Sequence, residues 1–428
     1  MEKYIDICGS IFFVMNKYKI NNDALIDRFL KYVRINTRSV NRVYKKFPST
    51  NHQLILSGIL TDELKAMGLK EVTMNEYGYV ISTVPGNIDI KTPVIGFIAH
   101  IDTSPDISGR NVKPRFVYNY DGADIQLNPR VVLSVEDFPE IIAYKGQTLI
   151  VTDGNTLLGA DDKAGIAEIM TAVEFMINNP DFKHGDIRIG FTVDEEVGNG
   201  VDHFNVDEFN ADFAYTIDGS RIGEIEYENF NAADVIITVH GRNIHPGNAN
   251  QKMKNAILIG QEYNLKLPAD ELPENTDGYK GFYHLINFNG TVENTSLQYL
   301  IRDHNRELFE VRKQTLINIA DNLNEKYGEK TILINITDQY YNMREKIMPI
   351  YHIVKNAVKA METVGVKPLI KPIRGGTDGA KLSFLGLPCP NLFTGGENPH
   401  SRYEYIPVKS MFKACETILE IINLYTKN

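Results

Sequence analysis

Cysteine is scarce in this 428-residue chain, and Cys8, Cys389 and Cys415 are far apart and odd in number. They build neither a disulfide framework nor a Cys-x-x-Cys metal site, and they fit a reducing compartment such as the cytoplasm. Excess positive charge is also absent. The 45 Lys and Arg against 55 Asp and Glu leave a formal net charge of −10, which argues against a nucleic-acid partner because phosphate binding needs a basic surface. No apolar run approaches the ~20 residues of a membrane span. The apolar stretch at 5–15 lacks the basic flank and the small-residue cleavage site of a secretory signal. Residues 1–21 are therefore expected to be a folded appendage, or sequence upstream of a start at Met15. Glycine-rich segments such as 375–379 do not form a phosphate loop, since no strand–GxxxxGK[ST]–helix pattern occurs. Neither an internal repeat nor a low-complexity tract stands out.

What the chain does have is an ordinary globular composition, 43% hydrophobic and 23% charged, at a length suggesting two or three domains. Apolar spacing predicts helices at 24–33 and 54–67, strands at 71–74 and 79–84, and a nearly continuous apolar strand at 93–100. A long polar loop follows, then a glycine-led helix at 159–178, an alternating strand at 186–193 and a short strand at 213–217. This alternation points to an α/β domain with a mixed, largely parallel sheet.

From about 223 the texture changes. A hairpin is expected at 225–230 and 234–240, then a helix near 254–263, strands at 282–291 and 297–303, a long helix at 306–327 and a strand at 331–336. The β-α-β-β-α-β order suggests a ferredoxin-like α+β module inserted into the α/β domain. Helices at 350–364 and 411–425 resume the first texture. The expected division is a catalytic domain in two parts, 1–221 and 342–428, around an inserted module at 222–341.

Acids and imidazoles gather where the predicted strands end. His100 and Asp102 close the apolar strand and, two apart, point the same way. A carboxylate there can orient an imidazole that binds metal, although His-x-Asp alone is a weak signal. Asp161 and Asp162 stand at a strand-to-helix corner, where helix capping explains one acid more comfortably than two. The run Asp194-Glu195-Glu196 follows a buried strand into the crevice where open α/β sheets place ligands. Adjacent glutamates can divide the work there, one binding metal and the other shuttling a proton. Asp218 ends the next strand, and His400 lies in a loop after the apolar strand at 389–393. Two histidines with three carboxylates (His100, Asp161, Glu196, Asp218 and His400) and no cysteine suit a hydrolytic pair of zinc or other borderline divalent ions.

The local wording resembles the co-catalytic metallopeptidase family that includes peptidase T, carboxypeptidase G and the succinyl-diaminopimelate desuccinylases. The segments that carry this are Ala-His-Ile-Asp-Thr at 99–103, Leu-Leu-Gly-Ala-Asp-Asp-Lys-Ala-Gly at 157–165 and Phe-Thr-Val-Asp-Glu-Glu-Val-Gly at 191–198. Tyr-Thr-Ile-Asp-Gly at 215–219, Gly-Gly-Thr-Asp-Gly-Ala at 375–380 and Phe-Thr-Gly-Gly-Glu-Asn-Pro-His at 393–400 complete the set, which is nearest to peptidase T members. The resemblance runs from about residue 22 to the C-terminus.

It implies two zinc ions bridged by Asp161, one completed by His100 and Asp218 and the other by Glu196 and His400. It also implies that Asp102 orients His100 and that Glu195 is the general base. His245, in the Asn-Ile-His-Pro-Gly segment at 243–247, would help hold the oxyanion, and Arg374 would clamp a peptide's terminal carboxylate. Read without the resemblance, His245 is an ordinary loop histidine and Arg374 a surface arginine; Arg302 is a weaker candidate for the clamp. His52, His184, His203, His284, His304 and His352 have no such partners and are taken as surface or satisfied structural residues. The implied activity is release of the N-terminal residue from tripeptides by a cytoplasmic enzyme. A dipeptidase or N-acyl amino acid deacylase of the same fold stays open, and a non-catalytic metal-binding protein is disfavoured by Glu195 beside Glu196. The inserted module is expected to act as a lid or to form a homodimer.

Overall fold

A computed structural model describes residues 17–41 and 46–427, so the 5–15 stretch and Cys8 lie outside the described residues. The chain divides into two compact units. The first takes the described parts of Met1–Ile225, Tyr351–Ile370 and Asn391–Asn428; the second takes Glu226–Ile350 and Lys371–Pro390.

The first unit is organised by the strand Ile95–His100, whose residues are all buried. An apolar strand without polar alternation needs cover on both faces. It sits inside an eight-stranded sheet ordered Val72–Met74, Val80–Val84, Ile187–Thr192, Ile95–His100, Phe213–Gly219, Asn391–Phe393, Glu224–Glu226, Leu369–Ile370. Ile95–His100 runs parallel to both its neighbours, and Asn391–Phe393 runs parallel to Phe213–Gly219. The edge pair Val72–Met74 and Val80–Val84 is antiparallel. The sheet is thus mixed and largely parallel, as expected from the sequence, and its parallel strands deliver their C-terminal ends to one side. Helices Ala160–Asn178 and Val408–Leu424 are buried along most of their length.

Gly165 lets the first of these helices approach the sheet. A Cβ there would fall inside van der Waals contact with the Ile217 carbonyl oxygen and with Asp162 Oδ1. Gly165→Ala is therefore expected to destabilise the protein by about 1–3 kcal/mol despite alanine's better helix propensity. Denaturant melts of the metal-free protein check this.

Two expectations are corrected. The polar loop after Thr103 contains strands Arg115–Val117, Ile125–Asn128, Val131–Leu133 and Leu149–Val151. They surround a satellite core that includes Tyr120, Leu133, Ile141, Tyr144 and Tyr405. Strands of three or four residues are too short to show a period. Nor do 225–230 and 234–240 form a hairpin. Glu224–Glu226 pairs with Leu369–Ile370 in the large sheet, whereas Asn231–His240 pairs with Asn294–Asp303 and Ile332–Tyr340 in a second sheet. The residues between them, Tyr227, Glu228, Asn229 and Phe230, include none of the glycines that a tight hairpin favours.

The second unit has a four-stranded antiparallel sheet ordered Phe282–Gly290, Asn294–Asp303, Asn231–His240, Ile332–Tyr340. With helices Ala256–Leu265 and Arg306–Tyr327 it follows the β-α-β-β-α-β order expected of a ferredoxin-like module. Its core joins Val235, Ile237, Leu297, Tyr299, Leu316 and Ala320. No helix among the described residues is long and apolar enough to cross a membrane.

Candidate metal centre

The strand ends of the large sheet bring five side chains together. His100 is the last residue of its strand and is 2% exposed. Its Nε2 lies 2.9 Å from Asp161 Oδ1 and 3.3 Å from Asp218 Oδ1. His400, held at a positive φ in its loop, points Nε2 at the other Asp161 oxygen, Oδ2, at 3.2 Å and at Glu196 Oε2 at 2.7 Å. Asp161 is therefore shared, one oxygen facing each imidazole. The groups His100–Asp162–Asp218 and His100–Asp161–Glu196 each place three donor atoms close enough to hold one cation.

Asp102 touches both the His100 imidazole and the turn that carries the glutamates. Its carboxylate lies 3.5 Å from His100 Nδ1, and its own carbonyl oxygen is 3.1 Å from that nitrogen. It also accepts the backbone N–H groups of Glu195 at 3.0 Å and Glu196 at 3.2 Å. One buried carboxylate thus lies beside the His100 imidazole and holds the 3₁₀ turn Glu195–Val197, which carries the two glutamates. Asp162 accepts the backbone N–H of His100 at 3.0 Å. The Asp161–Asp162 peptide is cis.

The charge balance of the centre calls for cations. Hydrogen bonds donated to Asp161 and Glu196 hold the His400 imidazole protonated up to about 11. Burial opposes charge on His100, but Asp218, Asp102 and Asp161 raise it well above the ordinary histidine range. Burial, with Asp161 nearby, pushes the Glu196 carboxyl up to about 8. Burial also acts on Asp161, yet its hydrogen bonds with both imidazoles hold it below the usual carboxylate range. The acids crowd until protons on the imidazoles supply the positive charge. Two buried oxygens, Glu196 Oε1 and Asp162 Oδ1, still have no hydrogen-bond partner, an arrangement that is costly unless something else satisfies them. Imidazole nitrogen and carboxylate oxygen without thiolate are donors for zinc and similar divalent ions, so the residues present fit a metal pair.

Three acids to which the sequence gave no individual role hold the surrounding loops. Glu404 accepts the backbone N–H groups of Leu158, Gly159 and Asp161. Asp194 accepts from Ser49 N at 2.5 Å and from Gln53 Nε2 at 2.7 Å. Glu397 accepts from Arg221 Nε at 2.9 Å and from the Tyr144 hydroxyl at 2.5 Å, tying the His400 loop to the segment after Asp218.

His245 and Arg374 belong to the second unit. His245 is exposed, and its Nδ1 accepts the Gly247 N–H at 3.2 Å. Arg374 donates to the carbonyls of Gly278 at 2.7 Å and Thr276 at 3.2 Å, and lies over the rings of Phe230 and Phe282. Arg302 donates to Ile301 O at 2.9 Å and Gln339 Oε1 at 3.2 Å.

A peptidase T of Clostridium novyi is 57% identical over 407 residues, 95% of this chain and 100% of the relative. The chain belongs to the peptidase T family. Another peptidase T, from Halothermothrix orenii, is 59% identical over 403 residues, covering 94% of this chain and 98% of the relative. Residues 227–331 match the M20 peptidase dimerisation domain. Among solved structures, an aminopeptidase PepT from Bacillus cereus has the same fold, with a TM-score of 0.75, 24% identity, and 95% of this chain and 100% of that one covered. A dinuclear metal binding peptidase of the M20 family from Bacillus subtilis shares the fold with a TM-score of 0.65 at 13% identity, covering 94% of this chain and 97% of that one.

Proposed function

We propose that this protein is a zinc-dependent aminopeptidase that releases the N-terminal residue from tripeptides. The observation that carries the reading is Asp161, shared between two imidazoles beside the turn of Glu195 and Glu196, in a family whose members are named peptidase T. His100, Asp161 and Asp218 would hold one ion, and Asp161, Glu196 and His400 the other.

When bound, the ion pair supplies a water acidified toward neutral pH and Lewis acidity for the peptide carbonyl. The chain's own residues do the rest. Glu195 takes the proton of the attacking water on its carboxylate and hands it to the amine nitrogen that departs. Asp102 keeps His100 in one tautomer and keeps Glu195 on its turn. His245 is assigned to stabilising the oxyanion, and Arg374 to binding the peptide's terminal carboxylate. The inserted module at 222–341 is assigned a lid or homodimerisation role between catalytic parts 1–221 and 342–428, and the cytoplasm is the proposed compartment.

The test is release of alanine from trialanine with and without a chelator. Cleavage lost on chelation and restored by zinc is the expected outcome. Free trialanine should be cut and N-acetyl-trialanine should not. A preparation holding two metals that cuts only N-acyl substrates or dipeptides would replace this reading with the deacylase or dipeptidase alternative.

A further inference from the structure

The corner that carries Asp161 is held from outside by one side chain. Glu404 is 2% exposed and lies at the end of the His400 loop, just before the strand Tyr405–Pro407. Its Oε2 accepts the backbone N–H groups of Leu158 at 2.6 Å and Gly159 at 2.7 Å, and its Oε1 accepts that of Asp161 at 3.1 Å. Gly159 adopts a positive φ, 83°, so that successive N–H groups converge on one carboxylate. Three backbone donors on one buried carboxylate fix the path of 158–161 more firmly than any single cap would.

The connection spans the chain. Glu404 comes four residues after His400, while the amides it accepts precede and include Asp161. A second link within the same loop runs through Glu397, whose backbone N–H donates to the Tyr405 carbonyl at 2.9 Å and whose side chain holds Arg221. The loop bearing one imidazole thereby also sets the position of the carboxylate that both imidazoles share.

We infer that Glu404 is a positioning residue that presets Asp161 for two cations. The inference rests on the metal-pair reading above, although it needs no peptide substrate for its test. Removing the negative charge would leave three converging N–H groups competing for a weaker acceptor, and the corner would relax. A residue that supports a metal ligand in this way typically contributes 10–100-fold to metal affinity.

Glu404→Gln keeps the size of the side chain and removes its charge. Zinc affinity of the full-length protein is measured by competition with a chromogenic chelator, and cobalt(II) absorption reports the ligand geometry. The expected result is a ~10–100-fold weaker affinity with an altered cobalt spectrum, while the melting temperature of the metal-free protein stays near that of the parent. Glu404→Asp, which keeps the charge but withdraws it by one methylene, should fall between the two. Parental affinity and an unchanged spectrum in Glu404→Gln would overturn the inference, as would a loss confined to metal-free stability. If Glu404→Gln does not fold, Glu404→Asp decides by the same two readouts. Failure of the parent protein to bind zinc at all would instead overturn the proposed function.

Discussion

Glu195→Gln is expected to retain both metals and a KM close to the parent's while kcat falls by about 10²–10⁴-fold. The two glutamates of the turn are neighbours in sequence but differ in surroundings. The side chain of Glu196 is 3% exposed, with Oε2 2.7 Å from His400 Nε2. Glu195 is half-buried, and its backbone is fixed by the 3.0 Å bond to Asp102. Glutamine fills the same volume and preserves that backbone bond, so the turn keeps its shape. What it loses is the ability to accept a proton at neutral pH, which a general base needs and a ligand set does not. The split between an intact metal content, read by elemental analysis, and a collapsed kcat separates catalysis from binding. Turnover persisting at the parental rate would remove Glu195 from the mechanism as its general base.

The features legible in the sequence are those decided by neighbouring residues. Ile95–His100 announces itself as a strand through continuous apolar character, and His100, Glu196 and Asp218 are conspicuous because polar groups follow buried strands. Sequence order cannot show the partners of Glu404, which lie up to 246 positions away and are backbone amides that any residue possesses. Asp194 was hidden differently. It begins the same acidic run as Glu195 and Glu196, but turns to the 49–53 segment and accepts from Ser49 and Gln53. The satellite strands escaped because three residues carry no period. The contacts of Arg374 were equally illegible: the backbone carbonyls of Thr276 and Gly278, nearly a hundred positions away, and two aromatic rings surround it in its own unit.

Asp161→Asn tests the centre itself, and its expected effect is loss of both ions' tight binding together with activity. The carboxylate stands 2.9 Å from one imidazole nitrogen and 3.2 Å from the other, on different oxygens. Asparagine can keep an acceptor on one side only. The other side receives an NH₂ group, which cannot ligate a cation and presents hydrogens to the space between the imidazoles. The centre also loses one negative charge, so His400 and His100 bind their protons less tightly. That would help a cation displace those protons, but it cannot replace the missing ligand. Loss of a shared ligand acts on both ions and should exceed the ~10–100-fold typical of a supporting residue. Zinc titration of metal-free protein checks this, with Asp162→Asn as the control. Asp162 accepts the His100 backbone N–H at 3.0 Å and could join His100 and Asp218 around a cation. If Asp162→Asn abolished binding of both ions while Asp161→Asn retained two per chain at parental affinity, the shared ligand would be Asp162. The two oxygens of Asp161 would then be acceptors for imidazolium protons and nothing more.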